Sequence, residues 1–248
     1  MTGRHNVSIC MATFNGARYL GAQLDSILAQ MAEGDELIVV DDASQDGTQE
    51  LLRSYRDPRV RVYANASNRG HVASFSRALQ QARHPWMVLA DQDDIWAEGR
   101  LATMCAALER PGVWLATGNA RFIDAAGGAI APAYPDLDPA DSKRHGTNIL
   151  RIFTGRAFYY GCNMAFSRDL ARLALPIPGY VESHDLWLAM AANLAGANLH
   201  LGEVLLYRRI HGANVTTSTR PLWRKLKSRV TFLRSLLHLA WRRLARHT

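Results

Sequence analysis

Lysine is scarce in this 248-residue chain: it occurs at Lys143, Lys225 and Lys227, and arginine supplies the rest of the positive charge. The scarcity removes a receiver-type signalling domain. Paired aspartates at a strand end would suit one, but it needs a lysine after a late strand, and Lys143 lies in the polar stretch "DPADSKRHG". Cysteine is equally rare. Cys10, Cys105 and Cys162 form no CxxC pair, so neither a disulfide framework nor a cysteine zinc site is indicated. No apolar run approaches the roughly 18 residues of a spanning helix. The opening Met1–Asn6 has no apolar signal core, so the expected compartment is the reducing cytosol. No GxGxxG or Walker A stretch is present, which disfavours dinucleotide and P-loop chemistry. Acidic residues stop at Glu203. Eleven of the 29 Lys and Arg follow it, leaving 18 basic against 22 acidic residues up to and including it. The body is mildly acidic and the tail strongly basic.

What is present is a sizeable core. Hydrophobic residues make up 48% of the chain. Strand-like runs at Val7–Met11, Glu36–Val40, Val60–Ala64 and Trp86–Ala90 alternate with helical spacing at residues 17–31, 47–55, 71–83 and 101–108. The alternation predicts an α/β fold with a mainly parallel central sheet and helices on both faces. A further strand is expected at Val113–Thr117. After residue 119 the rhythm changes: 124–148 reads as a long loop, Tyr159–Phe166 and Leu199–Tyr207 as strands, and Leu186–Leu194 as a helix opened by Asp185.

Ligands of such sheets bind at the carboxyl ends of the strands. Three strands here end in polar clusters, at residues 12–16, 41–46 and 91–94. The third, "LADQDDIW", crowds Asp91, Asp93 and Asp94 together. A helix cap explains one or two acidic residues, but not three. Three carboxylates suit a hard divalent cation such as Mg²⁺ or Mn²⁺, which takes oxygen ligands and often shares them with substrate phosphates. Asp41-Asp42 would accept hydrogen bonds from a base or ribose, or serve only as a loop cap. Asp185 after Ser183-His184 reads equally as a cap. A Ser-His-Asp hydrolase is disfavoured, because consecutive residues do not make a triad and no GxSxG elbow exists. Arg208, Arg209 and His211 either meet phosphates or begin the basic tail.

Taken in order, "SICMATFNGARYL", "LIVVDDASQDGT", "NRGHVASFSRAL", "LADQDDIW", "SHDLWLAMAA" and "YRRIHGANVT" resemble the family 2 glycosyltransferases of the A-type fold, over about residues 6–216. "HDLW" followed by "RIHGANVT" is most similar to a rhamnosyltransferase-type subgroup. The resemblance implies a nucleotide-sugar transferase (A-type, Rossmann-like) domain at 1–216, its nucleotide-binding part about 1–118 and its acceptor part 119–216. It implies Asp42 at the pyrimidine base with Asp41 nearby, and Thr13, Asn15, Asn68 and Arg69 around the nucleotide. Asp91 and Asp93 become the D-x-D, with Asp93 the direct metal ligand and Asp91 nearer the ribose. His211 and Arg208 approach the diphosphate, His211 also as a metal ligand, and Asp185 is the catalytic base. The usual Glu-Asp pair is His184-Asp185 here, which leaves the role of position 184 open. The implied activity is inverting, metal-dependent transfer from a nucleotide-sugar donor, dTDP-rhamnose first, to a lipid-linked or polysaccharide glycan acceptor. A UDP-hexose or HexNAc donor, or a non-catalytic sugar or membrane binder, is the alternative.

Residues 217–248 have their own pattern. At 100° per residue Leu222, Leu226, Leu233, Leu237 and Leu244 gather on one side, with Ala240 among them and Trp223 and Trp241 flanking. Arg224, Lys227, Arg234, Arg242 and Arg246 lie away from it, and Arg229 intrudes near the apolar side. This composition fits a helix lying in an anionic membrane surface, placing the protein peripherally on the inner face of the membrane. A homo-oligomer contact or a docked C-terminal helix are the alternatives. No nucleic-acid module accompanies the charge.

Overall fold

The structure, a computed structural model, describes residues 4–132, 135–157, 159–211 and 222–246, without the side chains of 222, 224 and 225. The first half runs β1 (Val7–Thr13), α1 (Ala17–Leu28), β2 (Glu36–Asp41), α2 (Thr48–Ser54), β3 (Val60–Ala64), α3 (His71–Gln81) and β4 (Trp86–Ala90). The second half adds β5 (Ile95–Trp96), α4 (Arg100–Leu108), β6 (Leu115–Ile123), β7 (Ala129–Ile130), α5 (His145–Thr154), β8 (Met164–Ser167), α6 (Arg168–Ala174), α7 (His184–Ala195), β9 (Asn198–Arg209) and α8 (Leu222–Leu244).

The strands form one sheet ordered β3-β2-β1-β4-β8-β6-β9-β5, with β7 on β6. β1 to β4 pair in parallel, as their buried apolar runs predict. Beyond β4 the sheet is mixed. β8 runs antiparallel to β4 and β6, whereas β9 is parallel to β6. Successive strand residues point to opposite faces, and two cores result. Cys10, Ile38, Val40, Met87 and Leu89 face α3, α6 and α7. Val7, Ile9, Met11, Leu37 and Val39 face α1 and α4. In α1 the inward face is Leu20, Gln23, Leu24 and Ile27, the helical spacing of the sequence.

Chain order fixes where a ligand binds. From β1 the chain winds outward through β2 to β3, then returns to β4 on the other side of β1. Loops from the carboxyl ends of β1 and β4 therefore diverge and leave a crevice at this switch point. The expected loop over 124–148 is corrected: β7 and the start of α5 lie within it. α5 hides in the sequence because its buried side chains are only Asn148 and Ile152. The expected division at residue 118 falls inside β6. The division between body and tail at 216 lies outside the described residues.

Candidate active site

Loops from four strand ends line the crevice. After β1 the chain turns through Phe14, Asn15 and Gly16, with Asn15 at φ 48°; after β2 it passes Ala43 at φ 63°. Non-glycine residues rarely adopt positive φ, and such strain gathers where a loop must hold one shape. Here side chains hold it. Ser44 Oγ accepts from the Asn15 amide at 2.9 Å, and Asn15 Oδ1 accepts from the Gln45 amide at 2.8 Å. Gln92, between the acidic residues, clamps β1 to β4: its Oε1 accepts from Phe14 N at 2.8 Å and its Nε2 donates to Phe14 O at 3.0 Å. A Cβ at position 16 would collide with the Gln92 carboxamide, so glycine there is what lets Gln92 hold the clamp.

The paired aspartates divide their work. Asp41 is fully buried and accepts from Thr13 Oγ1 (3.0 Å), Ser44 N (3.1 Å), Ser44 Oγ (2.5 Å) and Gln49 Nε2 (2.9 Å). Thr13 is thus held against Asp41. Asp42 accepts from Asn65 Nδ2 (2.7 Å) and from the amides of Arg69 (2.9 Å) and Gly70 (2.8 Å). Burial works against the Asp42 charge, but these donors hold its carboxyl below the ordinary range. Asn68 Oδ1 accepts from Gly70 N at 3.2 Å, and Asn68 and Arg69 are exposed on this loop.

The acidic loop is shaped by β9. β5 pairs with its end, Ile95 opposite Tyr207 and Trp96 opposite Leu206, which draws Arg208–His211 alongside Asp93 and Asp94. His211 Nε2 and Asp93 Oδ2 meet at 2.8 Å. The Arg209 amide donates to Asp94 Oδ1 at 3.0 Å, and its guanidinium to Asp93 O at 3.0 Å. Donor atoms of Asp91, Asp94 and Cys162 lie within 4.8 Å of one another. Burial and the charges of Asp94 and Asp93 push the Asp91 carboxyl up; burial and Asp93 do the same to Asp94. Burial and these two carboxylates also raise the Cys162 thiol, so it stays protonated. Burial opposes the Arg208 charge, but Asp94 and Asp91 carry it above its ordinary value; its guanidinium lies 4.6 Å from the Tyr160 ring centre.

Beneath the cluster lies Arg100, fully buried. It donates to Asn163 Oδ1 at 2.7 Å and to the Cys162 carbonyl at 2.6 Å, and burial lowers it to about 10. Sequence reasoning missed Arg100, Gln92 and Cys162. The only signal for Arg100 was a charge on an apolar helix face. A metal fits this donor set on one observation: Asp94 Oδ2 is buried without a hydrogen-bond partner beside the Asp91 carboxylate and the Cys162 thiol. Such a group is costly unless a positive charge is added.

Asp185 lies in the first turn of α7, where the helix dipole favours an anion. Its Oδ1 accepts from Leu186 N at 2.7 Å and from Ser183 Oγ. His184 connects it to the acidic cluster. The ring stacks on Phe75 at 4.2 Å, and a Cβ on Gly161, the residue before Cys162, would lie 2.5 Å from its Nε2. Burial lowers the His184 pKa, so the ring is neutral. Where the family pattern has a carboxylate, this chain has an uncharged packing group.

The glycosyl transferase family 2 model matches residues 8–173, a span that contains the switch point and the acidic loop. The chain belongs to that family. The succinoglycan biosynthesis protein ExoO of Rhizobium meliloti is 31% identical over 183 residues, 73% of this chain and 43% of ExoO. The Escherichia coli UDP-Glc:alpha-D-GlcNAc-diphosphoundecaprenol beta-1,3-glucosyltransferase WfgD is 28% identical over 118 residues, 48% of this chain and 47% of WfgD. The chain thus spans less than half the length of these two relatives. Among solved structures, the mannosyltransferase PcManGT of Pyrobaculum calidifontis, in complex with GDP-Man and Mn²⁺, shares the fold at a TM-score of 0.64 and 20% identity, covering 98% of this chain and 75% of PcManGT.

Proposed function

We propose that the chain is an inverting glycosyltransferase of polysaccharide assembly. It moves a sugar from a pyrimidine-nucleotide donor to a hydroxyl of a lipid-linked glycan. The observation that carries this reading is at the β1–β4 switch point: the acidic loop after β4 meets the cationic end of β9, and Asp42 after β2 is fixed by the 68–70 loop at the same end of the sheet. The pyrimidine base lies over the Asp42 side, between the 13–15 and 68–70 loops. Arg208 and His211 face the diphosphate, a charge-assisted arrangement. Asp185 takes the proton of the acceptor hydroxyl as the hydroxyl attacks the anomeric carbon. One displacement inverts that carbon, with no covalent sugar intermediate. Asp93 and His211 at the opening, with Asp91 and Asp94 behind, would hold Mn²⁺ or Mg²⁺, which would supply Lewis-acid neutralisation of the leaving diphosphate. A lipid-linked acceptor puts the work at the cytoplasmic face of a membrane, where the basic tail would meet anionic lipid.

The resemblance of "HDLW" and "RIHGANVT" supports dTDP-rhamnose as donor, and the name of the WfgD relative supports UDP-glucose. Thermal-shift titration with dTDP-, UDP- and GDP-sugars, with and without Mn²⁺, separates them. A stabilising shift with dTDP-rhamnose or UDP-glucose that grows with Mn²⁺ is expected. A shift with GDP-sugars alone would overturn the pyrimidine reading.

A further inference from the structure

α8 has two faces. One is docked: Leu239 is fully buried, Ser235 is buried, and Phe232 and Leu236 pack against the core shared with α6 and α7. The other faces outward. Trp223, Leu226, Val230, Leu233, Leu237, Trp241 and Leu244 are each 51% to 71% exposed. At 100° per residue all seven fall within an arc of about 80°, and they run about 32 Å along the axis. This is the largest run of exposed apolar side chains on the described surface. Patches of that kind mark a surface that something covers.

The basic residues of α8 are less available than their number suggests. Arg242 donates to the carbonyls of Ala174 at 2.9 Å and Pro176 at 2.9 Å. Arg243 donates to the Leu194 carbonyl. Arg234 lies 3.8 Å from the Tyr180 ring centre and Arg229 5.2 Å from that of Phe153. These side chains fasten the helix to the body. Charge attraction therefore has fewer free carriers than the tail contains, and the apolar stripe has to supply most of the binding.

We propose that the outward stripe of α8 is a membrane-insertion face, on which the protein lies with the helix in the plane of an anionic lipid surface. The assignment rests on the membrane location proposed above and adds the face, the depth and the force. Charge decides between occupants. α8 contains no acidic residue; Lys227 borders one edge of the stripe, and Arg234 and Arg229, although fixed on body rings, still place positive charge at one edge and beyond the other. A second copy laid against it would bring these like charges together, which a self-pairing helix avoids. Anionic headgroups meet the same rim favourably, and tryptophans near both ends of the stripe suit the interface.

Flotation of the full chain with phosphatidylglycerol-containing vesicles tests this, together with quenching of tryptophan by brominated acyl chains. The full chain is expected to float, and Trp223 and Trp241 to be quenched. Trp86, Trp96 and Trp187 are buried in the body, Trp114 is half-buried there, and the four give a constant background. A Leu233→Glu/Leu237→Glu variant should lose partitioning about a hundredfold or more, with donor-sugar binding and circular dichroism unchanged. A Trp223→Phe/Trp241→Phe variant should float without the quenching. If the full chain floats but the Glu variant floats equally, the stripe is not the insertion face, although the membrane location stands. If the full chain ignores the vesicles, the membrane location itself fails. A dimer of the full chain in solution that the Glu variant breaks would assign the stripe to a second copy and overturn the proposal.

Discussion

Asp185 carries the heaviest chemical expectation of any single side chain. Asp185→Asn keeps its shape and its place in the first turn of α7 but removes basicity. Turnover should fall by about 10²- to 10⁴-fold, with donor affinity little changed. Comparing kcat with donor binding by calorimetry checks this, and normal turnover would refute the base. Arg100 tests a different property. Arg100→Met leaves the Cys162 carbonyl and Asn163 Oδ1 without their donor and removes the cation beneath three carboxylates. Stability should drop by about 3–5 kcal/mol, read by urea unfolding. At position 16, Gly16→Ala places a methyl group on Gln92. Gln92 must swing away and release the Phe14 loop, so donor affinity should weaken more than thermal stability.

Among the elements, α8 does more than cover α6 and α7. Tyr180 Oη and His238 Nδ1 meet at 2.8 Å, and Ser228 Oγ donates to Glu182 Oε2 at 3.0 Å. Both contacts hold the segment directly before Ser183-His184-Asp185. Ser228→Ala with Tyr180→Phe should therefore lower kcat several-fold while leaving donor binding intact; an unchanged kcat would show that the segment holds its shape without α8. The two faces of α8 also separate by stability. Leu239→Ala should cost about 2–5 kcal/mol and Leu237→Ala almost nothing in calorimetric unfolding. How far elements were legible follows the same logic. β1, β2 and β4 are short apolar runs ended by polar loops, so sequence locates them within a residue or two. α5 went unseen because it buries little apolar surface. Sequence spacing pairs Asp91 with Asp93; the fold also sets Asp94 and Cys162 against Asp91, since β5 turns the loop onto β9. A contact between residues 94 and 162 leaves no periodic trace in either segment.

For the molecule as a whole, the response to acid sets two groups of side chains against each other. Arg4, with the Val7 and Ala32 amides, holds the Asp35 carboxyl below its ordinary 3.8 although burial pushes the other way. A depressed carboxylate gives stability that is present above its unfolded pKa and lost as pH falls through the folded one. Burial lowers His200 and His184 from 6.5, so the unfolded chain takes up these protons first as pH falls below that value. Both terms have the same sign: for these groups the unfolded state binds more protons, and their contribution to stability rises with pH. Asp91 and Asp94 act the other way, because burial and like charge raise their carboxyls and the folded state takes up those protons first. An Asp91→Asn/Asp94→Asn variant lacks that opposing contribution, so its urea midpoint should fall more steeply from pH 7 to pH 4 than that of the unsubstituted protein. All three thiols, Cys10, Cys105 and Cys162, are buried, and burial raises the pKa of each. In the folded protein a maleimide or spin-label reagent should find almost nothing to modify. A single cysteine introduced on the outward side of α8 would then be the one reactive handle, open to site-directed labelling without first removing the native three.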